Sequence, residues 1–167
     1  MAIFEPILAA LNDAEVRYVV VGGVAVVLHG YARLTAALDL AVDLSPREAR
    51  KVVAALRGVG LGPSAPVDPD GFGDAEVRAR WISEKDMRVF SMRDPIDPMR
   101  AVDLFVEEPV PFEELWGRSE VIDLGGLPVR VASVEDLIRM KRGVDRPQDR
   151  ADVAALEAIR ERREGSS

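Results

Sequence analysis

Two adjacent glycines inside an apolar segment place the tightest constraint on how this chain folds. Residues 17–21 (RYVVV) are β-branched and aromatic, which predicts a strand. Gly22-Gly23 breaks it. Residues 24–31 follow as a short helix with Gly30 near its C-terminus. Residues 36–44 then alternate. Ala37, Asp39, Ala41 and Asp43 share one face, and Leu38, Leu40, Val42 and Leu44 share the other. A period of two with one apolar face predicts a strand over a core. Strand, glycine turn, helix and strand in succession point to an α/β chain.

The flanking segments extend that order. Residues 3–13 carry Ile3, Ile7, Leu8 and Leu11 on one helical stripe. Ser45-Pro46 opens a helix to about residue 57, with serine at N-cap and proline at N1. Residues 58–73, rich in Gly and Pro, read as a loop, and residues 74–82 as a helix. Two strands are expected at 88–92 and 101–106, joined by a turn with two prolines. A short helix at 111–116 precedes a hairpin turning at Gly125-Gly126. Ser133 begins a helix in capping-box style, running to about Gly143. Arg146-Pro147 opens the last helix. The expected organisation is one domain over residues 1–160, with 161–167 as a frayed tail.

Composition narrows the class. The chain has 167 residues, 48% apolar and 31% charged, an ordinary globular mixture able to bury a core. It has no cysteine, which excludes disulfides and thiolate metal sites and suits a reducing cytoplasm. The N-terminal segment has acids and no basic n-region, so it reads as a helix and not as a signal peptide. No apolar stretch approaches the roughly 20 residues that span a bilayer, so no membrane partner is expected. A net charge of −7 speaks against a broad nucleic-acid platform, though not against a local basic rim. The basic runs around residues 78–100 and 139–150 read mainly as solvated surface.

The stretch VVVGGVAVVLHGYARLTAALDLAVDL resembles the nucleotidyltransferases of the DNA polymerase β superfamily. In that superfamily a strand ends in Gly-Gly or Gly-Ser. A helix follows, then a strand with two acids one residue apart, and a later strand supplies a third acid. The resemblance places the glycines at Gly22 and Gly23, the acid pair at Ala37 and Asp39, and the third acid at Asp103 in RAVDLFVEE. Arg33 and Thr35, His29-Gly30, and the later segment SVEDLIRMKRGVDRPQDRADVAAL with Lys141 and Asp149 resemble the abortive-infection and toxin–antitoxin (minimal nucleotidyltransferase-like) branch. The likeness spans roughly residues 16–160. It implies an α/β (α+β) nucleotidyltransferase fold, a mixed central sheet flanked by helices with further helices at the C-terminus. It also implies Mg²⁺ on Asp39 and Asp103, and NTP phosphates on Gly22, Gly23, Arg33, Thr35 and Lys141. The implied acceptor is RNA, in particular tRNA, or a protein side chain, with a cognate toxin or antitoxin as possible partner.

Physical reasons stand beside the likeness. The α-phosphate is anionic and repels a nucleophile, and Mg²⁺ lowers that barrier by clamping attacking and leaving oxygens. Mg²⁺ favours carboxylate oxygens, few of them from protein. Acids at i and i+2 on a strand point the same way, about 7 Å apart. That spacing suits two metals about 4 Å apart. A glycine turn lets backbone N–H groups approach phosphate, with the end of the following helix behind it.

Ala37 departs from the pattern, putting a methyl group where the first carboxylate is expected. Asp43, about 13 Å along the strand from Asp39, is too far to replace it. Two readings stay open: a natural member that lacks the acid, or a chain in which an acid was replaced by alanine to disarm it. The fuller motif that aspartate would make at this position favours the second. Either way a slow or inactive enzyme is expected. The alternative function is a catalytically degenerate nucleotide-binding protein, antitoxin-like or regulatory.

Other residues are weighed similarly. Lys141 lies on the inward stripe with Val134, Leu137 and Ile138, so it must reach water or an anion. Asp149 and Asp152 near a helix start read as dipole compensators. His29 reads as a helix-end or packing residue, and Trp81 and Trp116 as core or interface residues. Arg78 and Arg80 are weaker candidates for the rim of an acceptor site.

Overall fold

A computed structural model describes residues 1–166. Helix α1 (Glu5–Asp13) leads into β1 (Tyr18–Val21), α2 (Gly22–Leu28), β2 (Leu38–Val42) and α3 (Pro46–Gly58). A two-residue strand β3 (Gly62–Pro63) and a 3-10 turn (Pro69–Gly73) precede α4 (Ala75–Lys85). Then come β4 (Val89–Arg93), β5 (Ala101–Phe105), α5 (Phe112–Arg118), the hairpin β6 (Glu120–Leu124) and β7 (Leu127–Val131), α6 (Val134–Arg142) and α7 (Pro147–Gly165). The strands form a mixed sheet in the order β3-β4-β5-β2-β1-β7-β6.

The centre of that order positions the site. β1 and β2 run antiparallel, with Val21 opposite Asp39. β2 and β5 run parallel, with Asp39 opposite Asp103. β4 completes this side antiparallel to β5, placing Ser91 opposite Asp103. Valines fill β1 because it is buried throughout, and β-branched side chains suit a pleated, covered surface. β2 is covered more fully than its alternation suggests, since Ala41 is buried although it shares the Asp39 face.

The core joins the sheet to α1, α3 and the helices near the C-terminus. Ile7, Leu8 and Leu11 of α1, Val52 and Leu56 of α3, and Leu137 and Leu156 of α6 and α7 are each essentially inaccessible. Burying each such side chain stabilises the fold by about 1.5–3 kcal/mol before entropy is counted. Phe90 anchors the β4 side, with ring centroids 5.6 Å from Phe72 and 5.0 Å from Trp81. Trp81 is thus core, as expected. Trp116 packs beside Phe112, 5.9 Å between centroids, with Arg17 and Arg130 over its ring.

Several boundaries differ from the sequence reading. α2 begins at Gly22, not after the glycine pair, so the glycines are the first residues of the helix. The expected 58–73 loop contains β3 and the 3-10 turn, because backbone pairing to β4 needs no apolar periodicity. Ser45 occupies the N-cap of α3 but makes no side-chain cap; its N–H instead donates to Asp43 Oδ1. α7 continues through Gly165, so the segment expected to fray from residue 161 is helical that far. Ser167 lies outside the described residues. The hairpin turn at Gly125-Gly126 stands as expected, both glycines having positive φ.

Candidate active site

The C-terminal end of β1 stops against β2, and the resulting junction needs Gly22. Gly22 has φ +66°, and a Cβ added there would lie 2.0 Å from Asp39 Oδ2. Only glycine therefore permits both the left-handed turn and the close approach of the carboxylate. Gly23 is crowded differently, since its Cβ would meet the Arg33 guanidinium at 3.0–3.1 Å and Thr35 Cγ2 at 3.1 Å. The glycine pair, the loop before β2 and the Asp39 carboxylate are one packed unit.

This unit forms one wall of a cleft of about 600 Å³. Gly22, Gly23, Arg33, Thr35, Ala37, Asp39, Asp103 and Lys141 all line it. The structure thus brings the glycines, acids and cations to which the resemblance gave site roles to a single place. Ala37 lies there as well, its methyl group in the cleft beside the two aspartates. Val89, Phe105, Leu137, Met140 and Val144 add apolar lining.

Asp39 carries the most perturbed carboxyl group of the cleft, pushed up to about 7. Burial is the main cause, and the negative charge of Asp103 adds to it. Lys141, Arg33 and the Gly23 N–H pull in the opposite direction without cancelling it. Asp103 is held in turn by Ser91, whose hydroxyl donates to Oδ1 at 2.6 Å. Asp43 plays no part: it accepts from Arg17 at 2.7 Å and from the Ser45 N–H at 3.0 Å. Among the described residues no group of three or more His, Asp or Glu side chains gathers to hold a metal ion. A metal site here would rest on the Asp39–Asp103 pair.

The cations of the cleft are tied to acids on α7. Lys141 is 10% exposed at its side chain and lies 2.9 Å from Asp152 Oδ2 and 3.9 Å from Asp149 Oδ1. The inward stripe of α6 thus delivers the lysine to anions and not to bulk water. Arg33 reaches the same Asp152 oxygen at 2.6 Å. Arg146 pairs with Asp149 at 2.7 Å, and that arginine holds the Asp149 carboxyl below the usual range. Asp149 also closes the capping box of α7, consistent with its reading as a helix-end acid. Asp152 lies near the same helix start but is fully buried and paired with two cations, Arg33 and Lys141, which its reading as a helix-end acid did not anticipate.

The sequence reading missed Ser91 altogether and missed the burial of Asp152. Ser91 carries no motif, and only the register of β4 against β5 reveals it. Asp152 did leave a signal, an acid at i−4 and i−7 from Leu156 and Ile159 on the buried stripe of α7. Other readings are settled by position. His29 caps α2 with its side chain buried, and its Nε2 lies 2.8 Å from the Ala132 carbonyl. Arg78 is buried away from the cleft, donating to the Phe72 carbonyl. Arg80 is exposed and does not line the cleft.

A family model described as "Nucleotidyltransferase of unknown function (DUF6036)" matches residues 1–162. The chain belongs to this nucleotidyltransferase family. No curated protein matches it in sequence. Solved structures with the same fold include the lincosamide antibiotic adenylyltransferase LnuA bound to lincomycin. That match has a TM-score of 0.65 and 16% identity, covering 95% of this chain and 97% of the other. A second is ANT(2″)-Ia in complex with adenylyl-2″-tobramycin, with a TM-score of 0.59, 16% identity, and 99% and 98% coverage. A third is an antigenic nucleotidyltransferase-like protein from Paracoccidioides brasiliensis, with a TM-score of 0.58, 17% identity, and 93% and 73% coverage. At such identities the likeness shows the fold alone. The fold expected for this nucleotidyltransferase stands. No described helix is long and apolar enough to cross a membrane.

Proposed function

We propose that this nucleotidyltransferase binds a nucleoside triphosphate with Mg²⁺ in the cleft. It transfers the nucleoside monophosphate to an acceptor hydroxyl, at a rate held down by Ala37. The observation that carries this reading is the side-by-side placement of Asp39 and Asp103 opposite the Gly22 turn. The pair fits a divalent cation, because burial and, after it, the charge of Asp103 drive Asp39 toward neutrality, and a cation between the two carboxylates would offset both. Asp39 and Asp103 would hold Mg²⁺, which when bound would neutralise charge on the phosphate and acceptor oxygens.

The chain's own groups divide the remaining work. Gly22-Gly23 gives the phosphates a floor without side chains. Arg33, against Gly23, and Lys141 offset triphosphate charge. Asp103 takes the proton of the acceptor hydroxyl on the oxygen that Ser91 does not engage. The acceptor oxygen bonds to the α-phosphorus, and pyrophosphate leaves.

The charge inventory bears on the acceptor. Each cation lining the cleft is paired with an acid: Arg33 with Asp152, Lys141 with Asp152, Arg146 with Asp149, and Arg88 with Asp86. Little positive charge is left for a phosphate backbone, which favours a small hydroxyl-bearing acceptor over the RNA or protein that the toxin–antitoxin likeness implied. The antibiotic ligands named for the two adenylyltransferases are of that small class.

The test is incubation of the chain and its Ala37→Asp variant with Mg²⁺ and each labelled NTP. Small polyhydroxy compounds, total tRNA and cell protein are offered as acceptors. Ala37→Asp is expected to raise label transfer at least tenfold, first to a small acceptor. Transfer to tRNA or protein alone would restore the expectation from sequence. NTP binding without transfer by either form supports the second reading, a nucleotide-binding protein without turnover, which Ala37 itself favours. Absence of NTP binding sinks both.

A further inference from the structure

One buried carboxylate beneath the cleft has no part in the reaction described above. Asp152 is wholly inaccessible, and a buried carboxylate is costly unless it is paired. Three donors converge on it. Arg33 Nη1 reaches Oδ2 at 2.6 Å, Lys141 Nζ reaches the same oxygen at 2.9 Å, and Gln148 Nε2 donates to Oδ1 at 2.9 Å. Arg33 comes from the loop before β2, Lys141 from α6, and Asp152 from α7. A loop distant in sequence is thereby pinned to the two consecutive C-terminal helices at one point.

The two cations have no comparable anchor. Arg33 lies against Gly23, its guanidinium 3.0–3.1 Å from where a Cβ would fall, so its position also shapes the phosphate floor. Both line the cleft, and both have long side chains with much rotamer freedom to lose. Holding them before the ligand arrives removes that loss from the binding step. We propose that Asp152 is a positioning residue for the triphosphate. It fixes Arg33 and Lys141 together at the cleft wall, at the expense of half their positive charge. The inference rests on the reading of the cleft as a phosphate site.

Charge alone predicts the opposite sign. Removing an anion next to a triphosphate raises the local charge from +1 to +2 and, by attraction alone, tightens binding. Loss of positioning weakens it. The experiment is titration of the full chain and Asp152→Asn with adenosine, AMP, ADP and ATP in Mg²⁺. In the unaltered chain affinity is expected to climb with each phosphate. A flat series there overturns the phosphate site itself. In Asp152→Asn the ATP affinity is expected to fall at least tenfold while adenosine changes less than twofold. Equal or tighter ATP binding by Asp152→Asn, with the series intact in the parent, overturns the positioning role alone. Two uncompensated buried cations threaten folding of the single variant, so the comparison is repeated in a Lys141→Gln background. The doubly substituted protein keeps the net charge of the parent cluster. Asp152→Asn is expected to cost a further threefold or more there through Arg33, and no further loss overturns the proposal.

Discussion

Asp39 sits where a carboxylate is disfavoured, buried and beside a second acid, and this makes the metal-free protein sensitive to pH. Its folded-state value near 7 lies above the unfolded value near 4. The folded state therefore binds more protons, and stability declines as pH rises from about 4 through 7. The penalty at pH 8 is roughly 2–4 kcal/mol. Asp39→Asn removes it, so in chelator at pH 8 the variant is expected to melt several degrees above the parent. The gain should shrink as pH falls toward 4. A variant that melts lower at pH 8 contradicts this account. At Gly22 the expected direction is reversed. Gly22→Ala forces a strained φ and drives its Cβ into the Asp39 carboxylate. A loss of about 1–3 kcal/mol is expected in a denaturant titration, together with weaker Mg²⁺-linked nucleotide binding.

α6 links the stability of an element to the position of a functional side chain. Its N-cap Ser133 accepts from the Asp136 N–H at 3.1 Å, and Arg118 braces the Asp136 carboxylate at 2.9 and 3.0 Å. Lys141 sits near the opposite end of the same helix. Ser133→Ala is expected to cost about 1 kcal/mol of stability. Faster amide exchange should be confined to α6 and its contact with α7, with ATP affinity falling less than in Asp152→Asn. Unchanged exchange in α6 removes this link. The elements were legible in unequal measure. The period-two run of β2 and the inward stripe of α6 could be read because one face of each is buried, and burial imprints periodicity on sequence. β3 and the 3-10 turn left no such imprint, since backbone bonds and single turns hold them. α7 was under-read at its end because charged side chains such as Arg162 and Arg163 resemble a solvated tail. In the structure Arg163 reaches Glu120 at 3.2 Å and His29 at 3.3 Å.

Across the whole molecule, the site is assembled from the start of α2, the loop before β2, β2, β4, β5, α6 and α7, and this explains how much of it could be foreseen. Gly22, Asp39 and Asp103 stand out because motif spacing reflects strand geometry. Ser91 and Asp152 act through neighbours that only the sheet register and the docking of α7 supply. The apolar lining residues Val89, Phe105, Met140 and Val144 were invisible for the same reason, since no motif marks them. The central claim is that Asp39 and Asp103 jointly bind a metal–nucleotide complex. Calorimetric titration of NTP into the parent, Asp39→Asn and Asp103→Asn proteins, with Mg²⁺ and with chelator, tests it most directly. The expected result is binding that requires Mg²⁺ and falls at least tenfold in each variant. NTP binding that ignores both Mg²⁺ and these two substitutions would contradict the account.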